Sequence, residues 1–268
     1  MTEQIGDSKS VVSGDLSFIR IATPQLRFMV ENQRKLLPEV QYLELIEDIR
    51  KLFDKFSRVL AEYHPGAGRA AAAHSLINEA IKQTANINAT CFKGCGSCCH
   101  LEVEVTRDEG ELLAQVVNSG GGAGGGVGGG AGGDVSGGGG MEFSHKRLAI
   151  QAARERKSSD WQPMIQENNR CVFLGADQAC QIYESRPLAC RKVLMESNPI
   201  ECSKIDGSPR AILIPLAEIV LSAALSQPGN TYTSLSKSLS EGLRQAKQLA
   251  GDKDEVGVVE SGQIVTPR

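Results

Sequence analysis

Four cysteines fall within nine positions of the stretch CFKGCGSCCH, and four more follow at Cys171, Cys180, Cys190 and Cys202. Eight thiols limit a chain of 268 residues more than any other feature, because each must be oxidised, ligated or buried. The opening MTEQIGDSKSVVSGD lacks a basic segment followed by an apolar one, and no run approaches eighteen apolar residues. The expectation is therefore a cytoplasmic chain that does not enter a membrane, where thiols stay reduced and serve as ligands or redox groups. A formal charge of −3 and a pI near 5.9 give no general attraction to nucleic acid or to anionic lipid. The partner that follows is a metal ion; charge leaves any protein partner unspecified.

The cysteines sit in a chain that reads as mainly α, a small single domain of helices with one or two short strands. Residues 1–22 read as a disordered tail, 23–250 as the domain and 251–268 as a second tail. Thr23 as N-cap and Pro24 at N1 predict a first helix over 24–37. From Leu43 the apolar residues Ile46, Ile49, Phe53, Phe56, Leu60 and Tyr63 recur at three and four, predicting a long amphipathic helix that ends near HPGAG. An Ala-rich helix follows over about 69–86. LEVEV alternates with period two, and Thr106 with Glu109 three residues on forms a capping box that opens another helix.

The two cysteine groups are parted by GGGAGGGVGGGAGGDVSGGGG, residues 120–140, which hold fifteen of the 29 glycines. Fixing so many glycines costs more entropy than the few alanines and valines return, so 119–140 read as a flexible insert. A coil of that length spans roughly 25 Å, so the segments on either side can share one site. A phosphate-binding loop is not expected, because the repeat lacks the spacing and the following Lys or Ser/Thr that such loops need.

Within the first group, Cys91-x3-Cys95-x2-Cys98-Cys99, Gly94 and Gly96 let backbone amides approach the sulfurs. Neighbouring side chains diverge, so Cys98 and Cys99 are expected to face different corners of a site or different metals. The second group is spaced too widely for a single tight turn and needs the fold to gather it. Pro187 at a helix N1 would set Cys190 in a first turn, where the helix dipole lowers a thiol's pKa. The plain alternative for these later cysteines is burial as small hydrophobes. His100 lies beside Cys99 as a further candidate, whereas His64, His74 and His145 show no ligand spacing.

Two segments, CFKGCGSCCHLEVEVTRDEG and CVFLGADQACQIYESRPLACR, resemble the YkgJ-type cysteine-cluster family, zinc- or iron-chelating proteins with a CxxxCxxCC signature. The resemblance implies a metal-binding core with Cys91, Cys95, Cys98, Cys99, Cys171, Cys180 and Cys190 as ligands. Cys202 is added as a ligand on its position. Tyr183, Arg186, Pro187 and Arg191 accompany the motif, with Tyr183, Arg186 and Arg191 assigned to the surroundings of the cofactor. The arginines could offset the charge of a thiolate cluster, and Tyr183 could hydrogen-bond a sulfur. The first three cysteines also have the spacing that resembles the radical SAM enzymes. Ser97 stands where an aromatic residue is usual there, a fourth cysteine follows at once, and no alternating strand–helix units follow.

Soft thiolates suit zinc, iron or an iron–sulfur cluster and exclude Mg²⁺ or Ca²⁺. Vicinal thiols and glycine-flanked sulfurs favour iron. The function expected is metal handling or electron transfer. The alternative is a redox or methyl-transferring enzyme using an iron–sulfur centre, like the cysteine-cluster region that flagellin lysine methylases contain. No nucleophile–base set or nucleotide fingerprint accompanies the cysteines, which ranks binding above catalysis.

Overall fold

Capping chemistry sets where the helices begin. The computed structural model describes residues 17–255 apart from 85–86, 93, 121–140, 156–168 and 205. Its first helix, α1 (Pro24–Leu36), starts where Thr23 Oγ1 accepts from the Leu26 amide and Pro24 gives up an N–H that has no helical partner. In α2 (Glu39–Ala61) the apolar period becomes a buried face of Tyr42, Ile46, Ile49, Phe53 and Leu60, while Tyr63 lies beyond the helix and is exposed. The Ala-rich α3 (Ala67–Gln83) follows Gly66, whose φ of 115° suits glycine. The capping box is present in full at α4 (Arg107–Asn118): Thr106 Oγ1 accepts from the Glu109 amide and the Glu109 carboxylate accepts from the Thr106 amide.

Beyond the glycine tract come α5 (His145–Ala152), α6 (Leu188–Lys192), α7 (Pro215–Leu225) and α8 (Leu235–Glu255). The described residues contain four strand segments rather than one or two. They form two antiparallel ribbons, β1 (Glu104–Thr106) with β4 (Tyr232–Ser234) and β2 (Leu194–Met195) with β3 (Ala211–Ile212). Only β1 left an alternating trace in the sequence. The others are two or three residues long and exist because distant segments meet, as where Val105 stands opposite Thr233.

Two apolar clusters make up the interior. The first gathers Leu26, Ile46, Leu60, Ile77, Leu188 and Leu221 from α1, α2, α3, α6 and α7. In α7 every residue from Ala217 to Ala224 is buried, as expected of a helix surrounded by others. Its two polar members are partnered: Ser222 Oγ accepts from the Thr23 amide, and Glu218 pairs with Lys192 Nζ at 2.6 Å and Thr23 Oγ1 at 2.9 Å. The second cluster joins Val105, Leu113, Leu148, Phe173, Ile182 and Leu239 around α4, α5 and α8. Between the clusters, Arg69 on α3 grips Asp108 on α4 through Nε at 2.5 Å and a second nitrogen at 3.1 Å, both side chains being buried.

The sequence placed residues 17–22 in a tail, but Ser17–Arg20 form a 3₁₀ turn. Phe18 and Ala22 are buried there, the Phe18 ring 5.6 Å from that of Phe53. α8 likewise is described to Glu255, past residue 250. The rest of both tails and residues 121–140 of the insert lie outside the described residues. Among the described residues no helix is long and apolar enough to cross a membrane.

Helices α4 and α8 approach closely at two glycines: a Cβ built on Gly110 would stand 2.6 Å from the Ser238 carbonyl oxygen, and one on Gly242 2.6 Å from that of Gly110. Gly110→Ala should cost about 1–3 kcal/mol through forced separation of the helices, measured as a lower urea midpoint. Gly68→Ala in α3, where a Cβ meets nothing within 4 Å, should be neutral or slightly stabilising.

Candidate metal centre

Four local structures carry seven of the eight cysteines to one place. Cys91 leaves an extended segment stitched to β2: the Thr90 amide donates to the Met195 carbonyl at 2.8 Å, and the Met195 amide donates to Cys91 Sγ at 3.3 Å. Cys98 and Cys99 lie on the 3₁₀ turn Gly96–His100, which Cys95 precedes. Cys171 and Cys180 bracket a tight loop closed by the Leu174–Cys180 bridge, with Gln178 turned to φ 61°. Cys190 is the third residue of α6, whose N-cap is Pro187.

The second of these structures meets the third directly. The Cys171 amide donates to the Cys99 carbonyl at 2.8 Å. A Cβ on Gly96 would stand 3.0 Å from Leu174 Cδ1 and 3.1 Å from the Gln178 carbonyl oxygen, so the two loops press together where side chains are smallest. The sequence credited Gly96 with admitting amides to sulfur. Its role in the structure is this loop contact.

A cavity of about 330 Å³ results, lined by Cys91, Cys95, Cys98, Cys99, Cys171, Cys180 and Cys190 together with Tyr183, Arg186 and Pro187. Phe92, Leu101, Val103, Phe173 and Ile182 give it apolar walls. Cys202 ends the 3₁₀ turn Pro199–Cys202, which packs on the Gly96–His100 turn beside the cavity. All eight cysteines are free thiols. Among the described residues no three Cys, His, Asp or Glu side chains are arranged as the ligand shell of one ion; the sulfurs share a chamber rather than a vertex. His100 is buried, and it does not line the cavity.

The arginines divide. Arg186 lines the cavity with its guanidinium 4.0 Å over the Tyr183 ring, and its Nε is buried without a hydrogen-bond partner. Arg191 reaches from α6 to α3, donating to Asn78 Oδ1 at 2.9 Å and to the Glu184 carbonyl, with His74 Nδ1 at 3.3 Å. It anchors the cysteine-bearing helix, and its positive charge is still felt at Cys180.

Burial and mutual repulsion dominate the thiols. The Cys99 thiol, hydrogen-bonded to Cys98, is pushed well up by that bond and by burial, and Cys98 is drawn down to about 7 by the same bond with help from Arg186. Burial pushes Cys171 up to about 12 and raises Cys180, Cys190 and Cys202. At Cys190 this reverses the expectation of a thiol eased by a helix dipole. Pro187 is the N-cap rather than N1, the helix has five residues, and desolvation outweighs its short dipole.

Sequence reasoning missed the group that positions α6. Glu109, already the acid of the α4 capping box, is 1% exposed, and its Oε1 also accepts from the Leu188 amide at 2.6 Å and stands 3.3 Å from His74 Nε2. The capping motif announced Glu109, but its other partners are 35 and 79 residues away along the chain.

Residues 141–205 match a family model. It bears the name CxxCxxCC and the description "Putative zinc- or iron-chelating domain". The span starts where the glycine tract ends and takes in Cys171, Cys180, Cys190 and Cys202; the first cysteine group lies outside it. That group also has one more residue in its first interval than the pattern in the family's name. No curated protein and no solved structure matches the chain.

Burial favours the neutral form of Glu109, yet its pKa is lowered, because His74 and the Thr106 and Leu188 amides hold the carboxylate more strongly. An acid depressed in the folded state contributes stability that is complete above the ordinary glutamate value of about 4.3 and is lost as pH falls through the lower folded value. Glu109→Gln should cost about 1.5–3 kcal/mol at pH 7. In thermal melts the gap to the parent chain should close as the pH drops below about 4.

Proposed function

We propose that the chain chelates zinc or iron, as ions or as an iron–sulfur cluster, within the cysteine-lined cavity. One observation carries this reading: seven cysteines from both sides of the glycine tract line a single chamber, and the eighth adjoins it. Thiolates are soft donors suited to these metals, and the matched family model is described by the same two. The ligands in this reading are Cys91, Cys95, Cys98, Cys99, Cys171, Cys180, Cys190 and Cys202. A bound cation would supply the positive charge that lets crowded, buried thiols lose their protons.

The orphaned Arg186 Nε supports the same reading. A buried N–H without an acceptor is costly, and a neighbouring thiolate or cluster sulfide would satisfy it. Tyr183 backs the guanidinium, and Arg191 holds α6 in register. A set of eight sulfurs can close every coordination position, which favours metal handling or electron transfer over turnover of a substrate. Free thiols in this number suit the reducing cytoplasm.

Protein purified without oxygen should carry metal, measured by elemental analysis, with visible absorption for iron–sulfur and a colourless sample for zinc. Cys190→Ser should lower metal content and melting temperature together, since ligation and folding are coupled. A folded, metal-free chain with eight freely titrating thiols would overturn the reading. Arg186→Gln should weaken metal affinity by about 10–100-fold while leaving the helical circular dichroism unchanged.

A further inference from the structure

The thiols account for only part of the chamber lining. Another part carries no sulfur: residues 101–104, which lead into β1, with Tyr232 on β4 and Leu235 at the start of α8. These segments are tied together, the Leu235 amide donating to the Val103 carbonyl at 2.7 Å and β1 pairing with β4. Leu235 is buried and Val103 packs against the second apolar cluster, so this wall is a fixed and largely apolar part of the fold. The chamber's volume of about 330 Å³ falls in the range of small-molecule pockets, roughly 300–1,000 Å³. A metal held by the sulfurs leaves the sulfur-free wall without an occupant.

The charged groups of the lining select what fits there. Lys192 is engaged, its Nζ 2.6 Å from Glu218 Oε1. Arg186 is not: among the described residues its guanidinium has neither an acidic partner nor a hydrogen bond, only the Tyr183 ring centred 4.0 Å from its Cζ. An acceptor sulfur at Nε leaves the terminal nitrogens and their N–H groups, which present the planar fork that matches a carboxylate. Glu102 and Glu104 are the acidic groups of the lining, and their repulsion directs an anionic head away from β1 and toward Arg186. Phe92, Leu101 and Tyr183 line the chamber and are also exposed, so the way in from solvent is apolar too.

We propose that the chamber binds a small organic acid beside the metal, with its carboxylate on the Arg186 guanidinium and its apolar body against Leu101, Val103, Ile182 and Leu235. The site rests on the shape and chemistry of the chamber and does not depend on which metal the thiols hold.

The test uses the full-length chain purified without oxygen, with the metal it carries. The probe is 8-anilinonaphthalene-1-sulfonate, an apolar anion that fluoresces on leaving water, with octanoate and octylamine as competitors of equal chain length and opposite charge. One probe should bind per chain, and octanoate should displace it where octylamine at the same concentration does not. Arg186→Gln removes the fork and Leu101→Asp sets a carboxylate in the apolar wall; each should weaken octanoate about 10–100-fold, with circular dichroism confirming the fold. Leu213→Asp, which removes an exposed apolar side chain outside the lining, should bind octanoate as the parent does. Displacement by octylamine as readily as by octanoate, parent affinity kept by either Arg186→Gln or Leu101→Asp, or an equal loss in Leu213→Asp would overturn the site. Metal content read on the same samples separates it from chelation. A metal-bearing parent that takes up no octanoate overturns the organic-acid site alone, and a metal-free parent that binds octanoate overturns chelation alone.

Discussion

One buried carboxylate holds the cysteine-bearing half of the molecule against the helical half. Glu109 accepts from the Thr106 amide at the start of α4 and the Leu188 amide at the start of α6, and it faces His74 on α3. A charge with so little exposure is tolerated only when its lone pairs are filled, so each partner is required to stay where it is. Arg191 closes the arrangement from the other end of α6, through Asn78 and His74. Cys190 thus sits on a short helix that could not be stable alone and is positioned by polar contacts at both ends.

The chamber follows from this constraint and from the contact of two loops. Gly96 lets the first cysteine turn lie against the loop between Leu174 and Gln178, and the Cys171 amide fastens the two through the Cys99 carbonyl. The cysteines on opposite sides of the glycine tract therefore become neighbours through this loop contact. A family match that begins at residue 141 captures only the later group. The earlier group is joined to it by packing.

Local chemistry was legible because it is local. Thr23 and Pro24, the α2 stripe and the Thr106–Glu109 box each act within one or two turns, and all three are found where their residues predict, except that the stripe stops short of Tyr63. Convergence of the cysteines was also foreseeable in outline, since reduced thiols in this number need a common purpose. Their arrangement was not. Arg191 carries the same motif signature as Arg186, yet one points to α3 and the other into the chamber, a difference set by which helix lies beside each.

The sequence by itself determined the helical class, the caps, the long amphipathic stripe and the two groups of thiols, because each depends on residue type and short-range period. Tertiary structure alone decided that Phe18 belongs to the core, that β4 and β3 exist, that Glu109 bonds Leu188, and that burial raises Cys190 against the dipole of its helix. The reason is physical. A hydrogen bond or a desolvated thiol depends on what lies across a packed interface, and residues 79 positions apart share no local signal that they will meet there.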